Sequence, residues 1–228
     1  MDILDLVELV HEIWKGREGE AKVDCLVGHD WGGFIAWKMT SDYPSLINKL
    51  VILNAPHPRM FKKFIRSNLK QFFMSWYIFF FQCPFLPEKS LMVDDLKMFQ
   101  IIFKTEEGKN ATFEEIECYK YYFSKPGAMT GPINYYRANF YKSNKYSDKT
   151  DTRKRFSDKI DTSRQFSDKI DTPTFVIWGR KDKYLSELLA RCEDYVNDFR
   201  YKYIENGSHF VQFSHPDEVN ELIHEFVN

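Results

Sequence analysis

The chain has 228 residues, 43% of them hydrophobic, and its 32 lysines and arginines against 33 acidic residues leave a formal net charge of −1. That length allows one domain with an inserted lobe, the hydrophobic share is enough for a buried core, and the balanced charge gives no electrostatic reason to expect a nucleic-acid partner. The four cysteines, Cys25, Cys83, Cys118 and Cys192, lie far apart without metal-ligand spacing, and no signal-like segment opens the sequence, so a reducing, cytoplasmic setting is expected for the chain as given.

Ile3, Leu6, Val7, Val10, Ile13 and Trp14 recur at helical spacing and predict an amphipathic helix, which Asp2 can cap. A short apolar strand is expected over 23–27. The stretch Val27-Gly28-His29-Asp30-Trp31-Gly32-Gly33 then reads as strand, tight turn and helix. Its glycines remove the Cβ atoms that would clash in so sharp a turn, leaving Asp30 at the tip to point out of the sheet. The helix is expected to end near Tyr43-Pro44, and 49–53 is a second strand, so the two strands form a parallel pair with a right-handed crossover. This is the first part of an α/β core, residues 1–57.

Asn54-Ala55-Pro56-His57-Pro58 breaks regular structure, and over 58–145 the composition turns aromatic and helical without β-alternation, which predicts an inserted helical cap. Within it the apolar run from Phe72 to Leu86, interrupted by Gln82 and Pro84, falls short of the roughly 20 residues that span a bilayer. It is expected to be buried or to line a cleft. Residues 146–172 hold a repeat with a period of ten, its copies starting at Tyr146, Phe156 and Phe166. One aromatic per copy buries little, so a polar linker is expected there. The second part of the core, 173–228, brings a strand over 174–178, a helix over 185–196, a strand over 200–204 and a closing helix from Pro216 to Phe226.

A carboxylate at a strand-to-helix elbow displaces a leaving group at saturated carbon, giving an ester to the protein that water must then open. That second step needs a base to activate water and an acid to hold the tautomer of the base. Asp182, in Trp178-Gly179-Arg180-Lys181-Asp182, and His209, in Asn206-Gly207-Ser208-His209-Phe210, each follow a predicted strand and supply both groups in the order nucleophile, acid, histidine. His57, His215 and His224 fall in a loop, a turn and a surface helix face, where solvation accounts for them. Asp161 and Asp171 belong to the repeat and precede a strand.

These motifs resemble those of the α/β-hydrolase-fold epoxide hydrolases, in particular their membrane-anchored animal branch. Members carry the Gly-His-Asp-Trp-Gly-Gly elbow, the Trp-Gly-x-x-Asp acid turn and the Gly-Ser-His base turn. They also carry two cap tyrosines, one in an aromatic segment ending Phe-Phe-Gln and one in Gly-Pro-x-Asn-x-Tyr-Arg. Tyr77 in Trp76-Tyr77-Ile78-Phe79-Phe80-Phe81-Gln82 and Tyr136 in Gly131-Pro132-Ile133-Asn134-Tyr135-Tyr136-Arg137 occupy those places. Tyr135, the rival of Tyr136, is expected on the opposite side of its helix. The resemblance covers almost the whole chain apart from the repeat. It implies a small apolar epoxide and water as substrates, no metal or cofactor, and an Asp30 ester as intermediate. Tyr77 and Tyr136 would stabilise the opening epoxide oxygen, and the Trp31 backbone N–H would meet the oxyanion of ester hydrolysis.

Members also have a His-Gly-x-Pro loop that supplies a second oxyanion donor, and this sequence lacks it. The chain therefore reads as an N-terminally shortened member with a partial, four-stranded parallel sheet, an exposed edge and weak turnover. For a full-length form the resemblance implies association with the endoplasmic reticulum membrane. Two other readings stay open: a haloalkane dehalogenase, in which Trp31 Nε1 would hold the halide, and a non-catalytic pseudoenzyme that binds lipid-like ligands in an aromatic cleft. The tyrosine pair favours the epoxide, because a halide leaves as a stable anion and needs no phenol.

Overall fold

The computed structural model describes residues 22–104, 108–140 and 169–228. The expected N-terminal helix and all but the end of the repeat lie outside them. Strands β1 (Leu26–His29), β2 (Leu50–Leu53), β3 (Thr174–Gly179) and β4 (Phe199–Ile204) form one parallel sheet in that order, as the α/β reading expects. β2 and β3 are buried along their whole length, the usual state of parallel strands covered on both faces. Alternation along β2 divides the core. Leu50 and Ile52 face Trp37, Trp178 and Leu189, while Val51 and Leu53 face Ile177, Ile204, Val219 and Phe226. Each such large side chain contributes about 1.5–3 kcal/mol by leaving water.

Helix α1 (Asp30–Asp42) begins at the last residue of the elbow turn and folds back over β1 and β2. It lies so close that a Cβ on Gly33 would sit 2.3 Å from Ala55 Cβ, and one on Gly28 would sit 2.7 Å from the Gly32 carbonyl oxygen. Gly32 differs from the expectation: a Cβ there would meet open space. At the other end of this contact the Trp37 Nε1–H donates to the Ala55 carbonyl, tying α1 to the loop after β2.

Among the described residues, 58–140 form helices joined by turns and loops, with no strand. The elements are α2 (Pro58–Ser67), α3 (Leu69–Met74), α4 (Trp76–Phe80), α5 (Leu86–Leu91), α6 (Val93–Leu96), α7 (Met98–Ile102), α8 (Phe113–Phe123) and α9 (Thr130–Phe140). Phe99, Phe103, Ile116, Met129 and Ile133 give this lobe a core of its own. α10 (Val211–Ser214) and α11 (Pro216–Val227) close the chain.

Four expectations change. The run from Phe72 to Leu86 lines the cleft only in part: Tyr77 and Phe81 turn in against Tyr136, while Phe73, Trp76 and Phe85 are 68%, 63% and 76% exposed. The reason is that Gln71 and Ser75 of the same helical path face inward, where Gln71 Nε2 donates to Ser75 Oγ and to the Tyr184 carbonyl and Gln71 Oε1 accepts the Ser186 N–H. The helix over 185–196 shrinks to a 3-10 turn at Glu187–Ala190, and the backbone N–H groups of Tyr184, Leu185 and Ser186 before it are taken by the Asp182 and Gln71 side chains. His57 is buried rather than solvated, stacked on Tyr195 with ring centroids 4.5 Å apart and set edge-on to Trp37. Burial, helped by the Arg59 charge, pulls its pKa to about 3. Finally, Ile170 in the last copy of the repeat is buried and bridges Val196, so core packing includes residue 170, ahead of 173.

Candidate active site

In a parallel sheet every strand delivers its C-terminal end to one edge, and three side chains from those ends meet here. Asp30 follows β1 with φ 48, a left-handed conformation that a non-glycine residue rarely adopts without strain. The tight glycine packing of the elbow holds it there and leaves the carboxylate 36% exposed. Its Oδ1 lies 3.7 Å from His209 Nε2, and His209 Nδ1 lies 2.7 Å from Oδ2 of Asp182, whose side chain is 1% exposed. The three residues picked out in the sequence thus stand in one line.

Two phenols belong to the helical lobe. Tyr77 of α4 and Tyr136 of α9 meet edge to face at 5.6 Å, and Tyr136 meets the Trp31 indole at 5.0 Å. Burial first, then the neighbouring tyrosine and the Asp30 carboxylate, push the Tyr77 phenol well above its ordinary range. Burial and Asp30 do the same to Tyr136, so both remain O–H donors at neutral pH. Arg137 sets the pair: its Nε donates to the Phe81 carbonyl at 2.9 Å and its Nη2 to the Cys83 carbonyl at 2.7 Å, with Glu88 as its ion-pair partner, which draws α9 onto the end of α4. Tyr135 departs from the expectation, because its ring also lies against Trp31, at 5.6 Å. A third phenol, Tyr184, meets Tyr77 at 5.7 Å and His209 at 5.3 Å. Among the described residues no cluster of histidine, cysteine and carboxylate side chains is arranged to hold a metal ion.

Residues 2–216 match the family model described as alpha/beta hydrolase fold. The chain belongs to that family. It is similar to epoxide hydrolase 4 of Mus musculus, 36% identical over 210 residues that make up 89% of this chain and 53% of that protein. It is equally similar to epoxide hydrolase 1 of Caenorhabditis elegans, 36% identical over 89% of this chain and 47% of that one. Among solved structures, the epoxide hydrolase of Bacillus megaterium in complex with an inhibitor superposes with a TM-score of 0.74 at 23% identity, covering 100% of this chain and 76% of that one. The chain therefore spans about half the length of the curated relatives it matches.

Besides Tyr184, two residues of this α/β hydrolase site are not singled out by its sequence. Asn54, just past β2, is fully buried with φ 40, a conformation asparagine tolerates better than most. Its Nδ2 donates to Asp182 Oδ2 at 2.7 Å and its Oδ1 accepts the Gly179 N–H at 2.9 Å. With the N–H groups of Tyr184 and Leu185 on Oδ1, the buried carboxylate is saturated, and its remaining partner is the Nδ1–H of His209. An asparagine closing a buried apolar strand was the available signal. Asn54→Ala strips a donor from a buried carboxylate and an acceptor from a buried N–H, so urea unfolding is expected to register a loss of about 3 kcal/mol; a loss under about 0.5 kcal/mol would mean the pair is dispensable.

His29, beside Asp30, donates its Nε2–H to the His209 carbonyl at 2.9 Å. Burial, then the charge of His209, pulls its pKa to about 4, so it stays neutral and does not compete for the carboxylates. For His209 burial works downward, but Asp182 and Asp30 work harder and raise it to about 10. For Asp30 burial works upward, and the His209 cation 3.7 Å away, with help from the Trp31 backbone N–H, holds it below the ordinary carboxylate range.

These shifts fix the signs of the pH dependence. A histidine raised to about 10 contributes stability that is complete below its unfolded value of roughly 6.5 and is lost as pH climbs through 10. Asp30, depressed, contributes above roughly 4 and loses its share as pH falls. Unfolding free energy measured against pH is expected to decline on the alkaline side between these two histidine values, and Asp30→Asn should shallow that decline by removing one of the two anions.

Proposed function

We propose that this α/β hydrolase opens an epoxide to a vicinal diol through an ester on Asp30. The observation that supports it best is a carboxylate at the elbow with a His209–Asp182 pair behind it and two protonated phenols beside it. In the first step an Asp30 carboxylate oxygen forms a bond to a ring carbon, the carbon–oxygen bond of the epoxide breaks, and the alkoxide takes a proton from Tyr77 or Tyr136. In the second, His209 Nε2 takes a proton from water and the resulting hydroxide attacks the ester carbonyl. The Trp31 backbone N–H, already bonded to the Asp30 carboxylate at rest, meets the oxyanion. Before water reacts, the phenolate left by the first step recovers a proton at the expense of the His209 imidazolium, which restores the phenol and leaves Nε2 free. On collapse the proton taken from water passes from His209 to the departing alkoxide, the diol leaves, and the proton of the new Asp30 carboxyl returns to His209, so that carboxylate and imidazolium reform.

The raised pKa of His209 fits the sequence of events. While Asp30 is an anion, the imidazole is held protonated and is no base. Esterification neutralises Asp30, removes one of the two charges that raised His209, and frees Nε2 to accept a proton when water is needed. The base is thereby switched on by the first step.

A second reading has one observation of its own: Trp31 Nε1 is buried and makes no well-formed hydrogen bond, with the Tyr136 phenol as its polar neighbour, where a halide could be held. The phenol pair has no task in that reaction. The proposal is tested in a single turnover of an aryl epoxide in ¹⁸O-labelled water. Label in the Asp30 carboxyl and unlabelled first-turnover diol are expected; label in the diol with none in Asp30 would mean that water attacks the epoxide directly.

A further inference from the structure

Helices α3 and α4 are amphipathic in the reverse sense. Gln71 and Ser75 are fully buried, while Leu69, Phe73 and Trp76, spaced i, i+4, i+7 along the same helical path, are 76%, 68% and 63% exposed. Phe85 and Leu86, just beyond α4, are 76% and 54% exposed. The hydrogen bonds from Gln71 to Ser75, to the Tyr184 carbonyl and from the Ser186 N–H hold the polar side inward. The apolar stripe is therefore fixed outward and cannot roll into the core. Single exposed apolar residues are ordinary, but a contiguous run of large ones marks an interaction surface.

Charge says what kind of surface it meets. α2, which packs against α3, exposes Lys62, Lys63 and Arg66, and α3 exposes Lys70, while no acidic residue occurs anywhere from Tyr43 to Pro87. None of these four cations takes part in an ion pair among the described residues. Tryptophan and phenylalanine together with lysine and arginine that no described acidic residue pairs is the chemistry that binds an interface of acyl chains and anionic headgroups. A hydrophobic protein partner would complement the stripe but would leave the cations unmatched.

We propose that α2 to α4 dock this chain on the surface of a bilayer that contains anionic lipid, with the Leu69, Phe73 and Trp76 stripe in the headgroup region and the four cations against lipid charge. Among the described residues no helix is long and apolar enough to cross a membrane. The inference goes beyond the reaction proposed above and does not depend on it.

The test is co-sedimentation of the full chain with vesicles of phosphatidylcholine alone and of phosphatidylcholine with phosphatidylserine. Binding to the mixed vesicles that weakens with salt is expected, with little on the neutral ones. Lys62→Ala/Lys63→Ala should lower partitioning roughly thirtyfold, and Phe73→Ser/Trp76→Ser by at least roughly tenfold, each variant keeping the circular dichroism and melting point of the parent. Absence of binding to either vesicle, or binding that both variants leave intact, would overturn the proposal. So would a concentration-dependent dimer that forms without lipid and is lost in Phe73→Ser/Trp76→Ser, since the stripe would then be a contact between copies of the chain.

Discussion

A His209→Gln chain exposed briefly to an aryl epoxide is expected to become heavier by the mass of one substrate and to stay so. Attack by Asp30 on the ring carbon uses the carboxylate and the two phenols, all of which this substitution leaves in place. Opening the ester is different, because water is a poor nucleophile until a base takes its proton. His209 Nε2, 3.7 Å from Asp30 Oδ1, is the group placed to do so. General-base assistance is worth about 10²–10⁴ in rate, so the ester should outlast the parent's by that factor and be seen in the intact-mass spectrum and in the peptide that contains Asp30. An Asp30→Ala chain under the same exposure should gain nothing. Demonstrated binding of the epoxide with no adduct in His209→Gln would end the covalent route.

Replacing both Tyr77 and Tyr136 by phenylalanine keeps the edge-to-face contacts of the two rings with each other and with Trp31 but removes both donors to the epoxide oxygen. Loss of one such donor costs about 10²–10³ in rate. Single variants should therefore slow adduct formation by that amount, and the double variant should lose it from view. Hydrolysis of an ester already formed should change little, because its oxyanion faces the Trp31 backbone. The same variants given an alkyl halide decide between the two hydrolytic readings: if halide release persists while epoxide opening is lost, the phenols serve an alkoxide, and an equal loss of both would show that they shape the pocket instead.

What the sequence revealed, and what it hid, follows from how each residue is held. Asp30 and His209 are legible because each sits in a short turn after an apolar strand, where local pattern and chemistry agree. The strands 26–29, 50–53, 174–179 and 199–204 were legible within a few residues for the same reason. Asn54 and Tyr184 were not, because their roles are set by groups far away in sequence: Asn54 reaches Asp182 and Gly179, and Tyr184 faces Tyr77. His57 looked like a loop histidine, and only the Trp37 and Tyr195 rings, 20 residues upstream in one case and well over 100 downstream in the other, make it a core residue. The aromatic run after Phe72 misled through composition alone. Its hydrophobicity predicts burial, but two polar residues, Gln71 and Ser75, decide which side faces in.

The reach of Gln71 has a consequence for how such proteins diversify. Its side chain grips the backbone at Tyr184 and Ser186, two and four residues past Asp182. The helical lobe is thus fastened to the very turn that holds the acid, although 111 residues separate Gln71 from Asp182 along the chain. Recombination that exchanged the lobe at its two ends, near 58 and 140, would bring in a new residue at 71 and orphan the carbonyl and N–H it leaves behind. A transplanted lobe should therefore succeed only when the 182–186 turn travels with it, so that the two segments are inherited as one module written in two places.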